Sequence, residues 1–164
     1  MALPSKILPG FSATLYAQPG ANPTALTTSA LSTYASVSAL AVSGNLVPVE
    51  AIPAFGQDDA VASFGVAGAR QSDKIPVQSA PTSMSITAAW NPSDAVLLLL
   101  RADAYNGTID RTFVISATDG TGIVNYAFNG RVSQWTIDSA PGAEAKVTFT
   151  IHPRGNQYGW SNSV

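Results

Sequence analysis

Few side chains in this 164-residue chain are equipped for chemistry, and those few are scattered. His152 is the single histidine. The alternation of Val147, Phe149 and Ile151 places it on the Thr148/Thr150 side of a strand. An imidazole acts as a general base only beside a fixed nucleophile or acid, and none stands at an informative spacing from it. Asp58 and Asp59 are adjacent carboxylates. In an extended segment they point to opposite faces, which suits a solvated turn better than the facing pair of a glycoside hydrolase. One histidine and no cysteine cannot assemble the usual zinc ligand sets. Neither a Gly-x-Ser-x-Gly elbow nor a Gly-x-x-x-x-Gly-Lys-Ser/Thr phosphate loop occurs. The chain therefore reads as a non-enzyme, with no cofactor and no metal.

Composition points the same way. Charged residues make up 11% of the chain, against roughly 25% in a typical soluble domain. Ser, Thr, Ala, Asn and Gln fill the positions that charge would occupy, a surface poorly protected against association, so self-assembly is expected. The net charge is −2 and no Lys/Arg run exists, so the footprint needed to grip nucleic acid is missing. Residues 1–10 are broken by Pro4 and Pro9 and lack the continuous apolar core of a secretory signal. Residues 24–49 are uncharged but too rich in Ser and Thr for a membrane span, so no membrane binding is expected. Asn106-Gly107-Thr108 matches a glycosylation acceptor, an accidental match without such a signal.

The elements that would carry these residues are mainly strands. Phe11, Ala13 and Leu15 share one face of a first strand, closed by Pro19-Gly20. Leu26, Ala30, Leu31, Tyr34, Val37 and Leu40 recur near helical spacing within a hydroxyl-rich stretch; a short helix or turn is expected there, then a strand near 36–42. Residues 48–81 are punctuated by Pro48, Pro53, Pro76 and Pro81. They form either a long solvated loop or a projecting hairpin of 60–66 and 72–78, with prolines confined to edges, ends or bulges. Residues 83–90 alternate, with Met84, Ile86, Ala88 and Trp90 inward. A helix follows over 91–106, with Asn91 as N-cap, Pro92 at the first helical position and Asp94 at the third. The run Leu97-Leu98-Leu99-Leu100 makes it apolar on most sides, and Asn106-Gly107 stops it. Strands over 111–118 and from Val124 follow, joined by the turn Asp119-Gly120-Thr121-Gly122. Past Asn129-Gly130 the apolar parity switches between Val132 and Trp135. An Asn-Gly hairpin or a β-bulge in one bent strand would explain that; we favour the bulge. Pro141-Gly142 turns into the last strand, with an extended tail over 153–164. Trp90, Trp135, Tyr126 and Phe128 could form a sugar-binding platform, but on alternating strands they read as core. One domain over 1–164 is expected, with extended termini at about 1–10 and 153–164.

Three segments carry a family likeness. Residues 86–94, Ile-Thr-Ala-Ala-Trp-Asn-Pro-Ser-Asp, then Arg111-Thr112-Phe113-Val114-Ile115, then Tyr126-Ala127-Phe128-Asn129-Gly130-Arg131-Val132, resemble the major tail tube proteins of long non-contractile-tailed bacteriophages. The likeness is best over about residues 50–152. It implies a mainly β, sandwich or barrel-like fold with one flanking helix at about 92–105 and a long projecting loop or hairpin at about 48–82. It also implies hexameric rings of this chain, stacked into a hollow virion tail tube around a tape-measure protein. Tail-tip or baseplate and tail-terminator proteins would be further partners, and assembly would take place in the bacterial host cytoplasm. DNA would pass through the lumen without specific binding, which a weakly negative chain with no basic patch suits. In such proteins the long loop and the termini mediate contacts between subunits and rings. Glu50, Asp58, Asp59, Arg70, Asp73, Lys74, His152 and Arg154 are the residues here that would serve as those contacts. A tail-terminator or distal tail protein, or a secretion-system tube, shares most of these expectations.

Overall fold

The computed structural model describes residues 12–64, 73–118 and 122–162, and only the backbone of Ser12, 57–64, 73–80 and 155–162. Phe11, Arg70 and the turn residues Asp119, Gly120 and Thr121 lie outside the described residues. Twelve elements follow one another. They are β1 (Ser12–Ala17), α1 (Thr28–Leu31), α2 (Tyr34–Ser38), a 3-10 turn (Ser43–Asn45), β2 (Leu46–Val47), β3 (Gln57–Phe64) and β4 (Asp73–Pro81). Then come β5 (Met84–Ala89), α3 (Ala95–Asn106), β6 (Arg111–Thr118), β7 (Ile123–Asp138) and β8 (Lys146–Asn162). Six strands make one antiparallel sheet in the order β2-β1-β6-β7-β8-β5, curled into a half-barrel, while β3 and β4 form a separate hairpin.

The concave face holds the main core. Leu15, Met84, Ile86, Phe113, Ile115, Phe128, Val132, Val147, Phe149 and Ile151 point inward, and α3 plugs the opening with Val96, Leu97 and Leu100. The helix is apolar on more than its buried side, as expected: Leu98 keeps 42% of its surface exposed and Tyr105 74%. A 12-residue helix can reach the sheet with one stripe only, so part of the leucine run faces outward.

Its start is displaced. Asn91 was the expected N-cap, but its Oδ1 instead accepts from Ser93 N at 2.9 Å, closing a turn over 91–94. Asp94 is the cap, its Oδ1 accepting from Val96 N (2.9 Å) and Leu97 N (3.2 Å). The turn over 91–94 moves the helix start past Pro92, and the Asp94 carboxylate takes the orphan N–H groups. Asp94→Ala should therefore lower unfolding free energy by about 1 kcal/mol, and Asn91→Ala by less, in urea titrations. Equal losses would return the cap to Asn91. At the far end Gly107 adopts φ 67°, the left-handed stop that Asn106-Gly107 predicted.

The convex face is covered over its β1–β6–β7 half. The strand expected near 36–42 is absent; α2 occupies 34–38, and Leu31 and Val37 are buried against Val114 and Ala127. Strand β6, already paired with β1 and β7, has no free edge to offer another strand there. Short helical turns bury the two side chains instead, aided by Thr33, whose hydroxyl donates to Ser29 O at 3.0 Å. This cover explains why β6 is buried on both faces rather than alternating.

A two-residue strand that sequence patterns missed nearly closes the half-barrel. Val47 pairs with Leu15 on the β1 edge, and Val49 bridges Ala88 on the β5 edge. Glu50 N donates to Thr87 O and Ala89 N to Pro48 O, each at 2.9 Å. Residues 46–50 thus bind both edges of one sheet, shielding backbone groups that would otherwise invite pairing.

The expected bulge is present. β7 is one continuous strand, and its register with β8 slips between Ser133 and Thr136, where Gln134 takes φ 57°. The extra residue turns Trp135 into the core after Val132. A second slip lies between Ala127 and Asn129. Residues 153–162, expected as an extended tail, are extended and paired with β7, from Asn129↔Arg154 to Val124↔Asn162. The hairpin reading of 48–81 also matches the backbone. Pro81 ends β4 and Pro76 sits at the register shift opposite Ala60/Val61, both places that tolerate a missing N–H. No helix among the described residues is long and apolar enough to cross a membrane.

Candidate assembly surface

The aromatic residues that could have formed a binding platform are spent on packing. Trp135 stacks on Phe149 (centroids 5.4 Å apart) and meets Trp90 edge-on at 5.9 Å. Phe113 stacks on Phe128 at 5.6 Å, and Phe55 meets Tyr126 at 5.3 Å. Below the β1 strand an open recess of about 500 Å³ is lined by Ala13, Ala51, Ile52, Pro53, Ala54 and Phe55, which offer no titratable side chain.

Polar organisation falls into three places. The first is buried. Arg111 Nε donates to Asp103 Oδ2 at 2.5 Å, both side chains 1% exposed, joining β6 to α3. The same guanidinium donates to Gln18 O and, at 3.0 Å, to Gly20 O, so it also holds the turn after β1. Beside it, Leu26 N donates to Thr112 Oγ1 (2.9 Å), Thr112 Oγ1 to Asn129 Oδ1 (2.7 Å), and Asn129 Nδ2 back to Leu26 O (2.8 Å). That closed ring docks the 18–26 connection on the sheet.

The second place is an exposed row across β5, β7 and β8 on the convex face. Arg131 on β7 donates from Nε to Asp110 Oδ1 at 2.6 Å, and Arg154 on β8 reaches the same carboxylate at 3.3 and 3.4 Å. His152 is the register partner of Arg131. Its Nδ1 lies 2.8 Å from Ser83 Oγ and its Nε2 2.8 Å from Ser133 Oγ. Both ring nitrogens are thus occupied by hydroxyls, and no carboxylate orients the ring, so the arrangement is not a nucleophile–base–acid triad. Thr150 Oγ1 donates to Gln134 Oε1 at 2.9 Å, and Thr87 and Thr148 hydroxyls lie 3.4 Å apart, continuing a hydroxyl-lined surface over β5, β8 and β7.

The third place is the β7–β8 turn. Lys146 bonds Glu50, and Glu144 and Asp138 stand close by. The hydrogen bond that Lys146 donates to Glu50, then the Glu50 charge, raise the Lys146 ammonium above its ordinary pKa of 10.5, with smaller contributions from Glu144 and Asp138. A raised lysine stabilises fully below its unfolded pKa and loses that contribution only as pH rises through the folded one. The pair therefore persists at neutral pH.

The nominated contact residues are divided among these places. His152 and Arg154 come together in the convex row, and Glu50 joins the turn cluster. Asp58 and Asp59 stand in β3 opposite Ala80 and Ser79, and Asp73 and Lys74 in β4 opposite Phe64 and Ser63. Asp110, Arg131, Asp138, Glu144 and Lys146 went unrecognised in the sequence, because their grouping depends on cross-strand register. Among the described residues no group of His, Cys, Asp or Glu could hold a metal ion.

A curled antiparallel half-barrel, plugged by one helix, with a separate hairpin and polar clusters at its surface, defines a tail-tube-like β fold. Two solved structures share it. The chain is similar to a chain of the six-fold symmetrised cryo-EM structure of the anti-feeding prophage (AFP) baseplate (TM-score 0.60, 10% identity), covering 99% of this chain and 97% of that one. It is also similar to the SPP1 tail tube determined by solid-state NMR and cryo-EM (TM-score 0.53, 11% identity), covering 87% of this chain and 73% of that one. No family model and no curated protein sequence matches it.

Proposed function

We propose that this chain is a structural protein of a phage tail and acts by self-association, without catalysis. Its subunits join in hexameric rings, and the rings stack into the hollow tube of a non-contractile tail. The tube surrounds a tape-measure protein and conducts DNA, after assembly in the host cytoplasm. The supporting observation is a fold shared over nearly the whole chain with a component of a six-fold assembly, and over most of it with a tail tube. The low charge fits, as do a polar face lined with hydroxyls and a hairpin outside the main sheet.

The baseplate likeness favours a second reading, a ring-forming component at the end of a tube, such as a distal tail or tail-terminator protein, or a secretion-system tube. Growth separates the two. Negative-stain electron microscopy of the concentrated protein should show rings and tubes of indefinite length; rings that never elongate support the end component. A monomer at every concentration, even with tail tips added, would refute both. Asp58→Lys/Asp59→Lys should block stacking and leave the melting transition cooperative and unshifted. Tubes of normal length from that variant would remove the hairpin from the contact.

A further inference from the structure

Among the described residues, two charge clusters on the β7–β8 ladder carry surplus charge, and they have opposite signs. At one, Asp110 is shared by the guanidiniums of Arg131 and Arg154, which leaves one positive charge. His152 extends that row and is bonded by hydroxyls alone. At the other, Lys146 stands among Glu50, Glu144 and Asp138, which leaves two negative charges. Lys146 and Arg154 lie on one face of β8, eight residues apart. At about 3.3 Å per residue that is roughly 26 Å, about three times the screening length of about 8–10 Å near physiological salt. The clusters therefore cannot neutralise each other within one subunit.

We infer that the arginine end of one copy, Arg131 and Arg154 with His152, receives the acidic β7–β8 turn, Asp138 and Glu144, of a second copy. The contact rests on the self-association proposed above and gives it a direction. Its halves lie at different places on the molecule, so it is heterologous: it repeats head to tail into a ring or filament and does not close as a two-fold dimer. Opposed charge sets orientation and register, since like ends brought together repel. A nucleic acid is the poorer occupant, because a carboxylate already sits between the two arginines and one surplus charge neutralises little of a phosphate backbone.

Sedimentation velocity of the full chain tests the contact, at salt from about 50 to about 500 mM. Association should weaken as salt rises. Arg131→Glu/Arg154→Glu and Asp138→Lys/Glu144→Lys should each weaken it by roughly tenfold or more. An equimolar mixture of the two double variants should associate again. Circular dichroism and melting check the fold. Arg154→Glu alone, which keeps the Arg131–Asp110 bond, should show a smaller loss and serves if the double variant does not fold. Unchanged association of folded variants, or no recovery on mixing, overturns the contact while leaving the self-association reading standing. No association of the unaltered chain at any concentration overturns both. Binding of a short DNA duplex that Arg131→Glu/Arg154→Glu abolishes would overturn the contact in favour of nucleic acid.

Discussion

Arg111→Met is expected to cost about 3–5 kcal/mol of unfolding free energy, the largest effect of any single charged residue described. The substitution strands Asp103, which is 2% exposed, without its cation. It also removes the donors to Gln18 O and Gly20 O, so the turn after β1 loses its tie to β6. Charge burial of this kind is favourable only while paired: the desolvation already incurred by the carboxylate is not recovered when the arginine leaves. Arg111→Met/Asp103→Leu should therefore be more stable than Arg111→Met alone, because the apolar pair buries no charge. Denaturant titrations of the three proteins measure this directly. A single-variant loss below about 1 kcal/mol, the range of an exposed pair, would show that the pair does not anchor the helix.

Phe149→Ala is expected to cost a similar amount, about 3–5 kcal/mol, by a different route. Phe149 is fully buried in β8, opposite Ile86 in β5, and stacked on Trp135 at an interplanar angle of 16°. Truncation leaves a cavity that neither β5 nor β7 can close without breaking its register, and Trp135 loses its stacking partner. Typical domains hold only about 5–15 kcal/mol in total, so the variant should melt at a much lower temperature and assemble poorly because it is partly unfolded. Phe149→Leu should recover most of the loss. Assembly lost through the surface charges, by contrast, should leave the melt unchanged, and the two kinds of defect are separable in one pair of experiments. A Phe149→Ala protein with unaltered melting would contradict the packing described for the concave face.

Much of the architecture was legible because its determinants are local. The alternation of Met84, Ile86 and Ala88 is a property of one strand, and Gly107 stops α3 by its own backbone freedom. The parity switch between Val132 and Trp135 disclosed the bulge, since an added residue must exchange faces. The errors arose where distant residues decide. Residues 36–42 look strand-like in isolation; the buried convex face of β6 and β7 made α2 the better way to bury Val37. Asn91 and Asp94 are both good caps by composition, and the turn around Pro92 chose between them. Strand β2 is too short to carry a pattern, and its meaning lies in the two sheet edges that residues 46–50 join.

The same division holds for the candidate surface. His152 and Arg154 could be nominated from the sequence as exposed polar residues, but their partners could not. Asp110, Arg131 and His152 are 21 residues apart at each step along the chain and become neighbours only through strand register. Asp103 and Arg111, eight residues apart, meet because the chain reverses between α3 and β6. By itself the sequence determined a mainly β chain of low charge, one stopped helix, a proline-punctuated segment over 48–81 and a scarcity of catalytic groups. Those features follow from side-chain type and from spacings of a few residues. The tertiary structure alone decided which charges pair, which face is covered and where surplus charge of each sign remains, because electrostatic neighbours are set by distance in space.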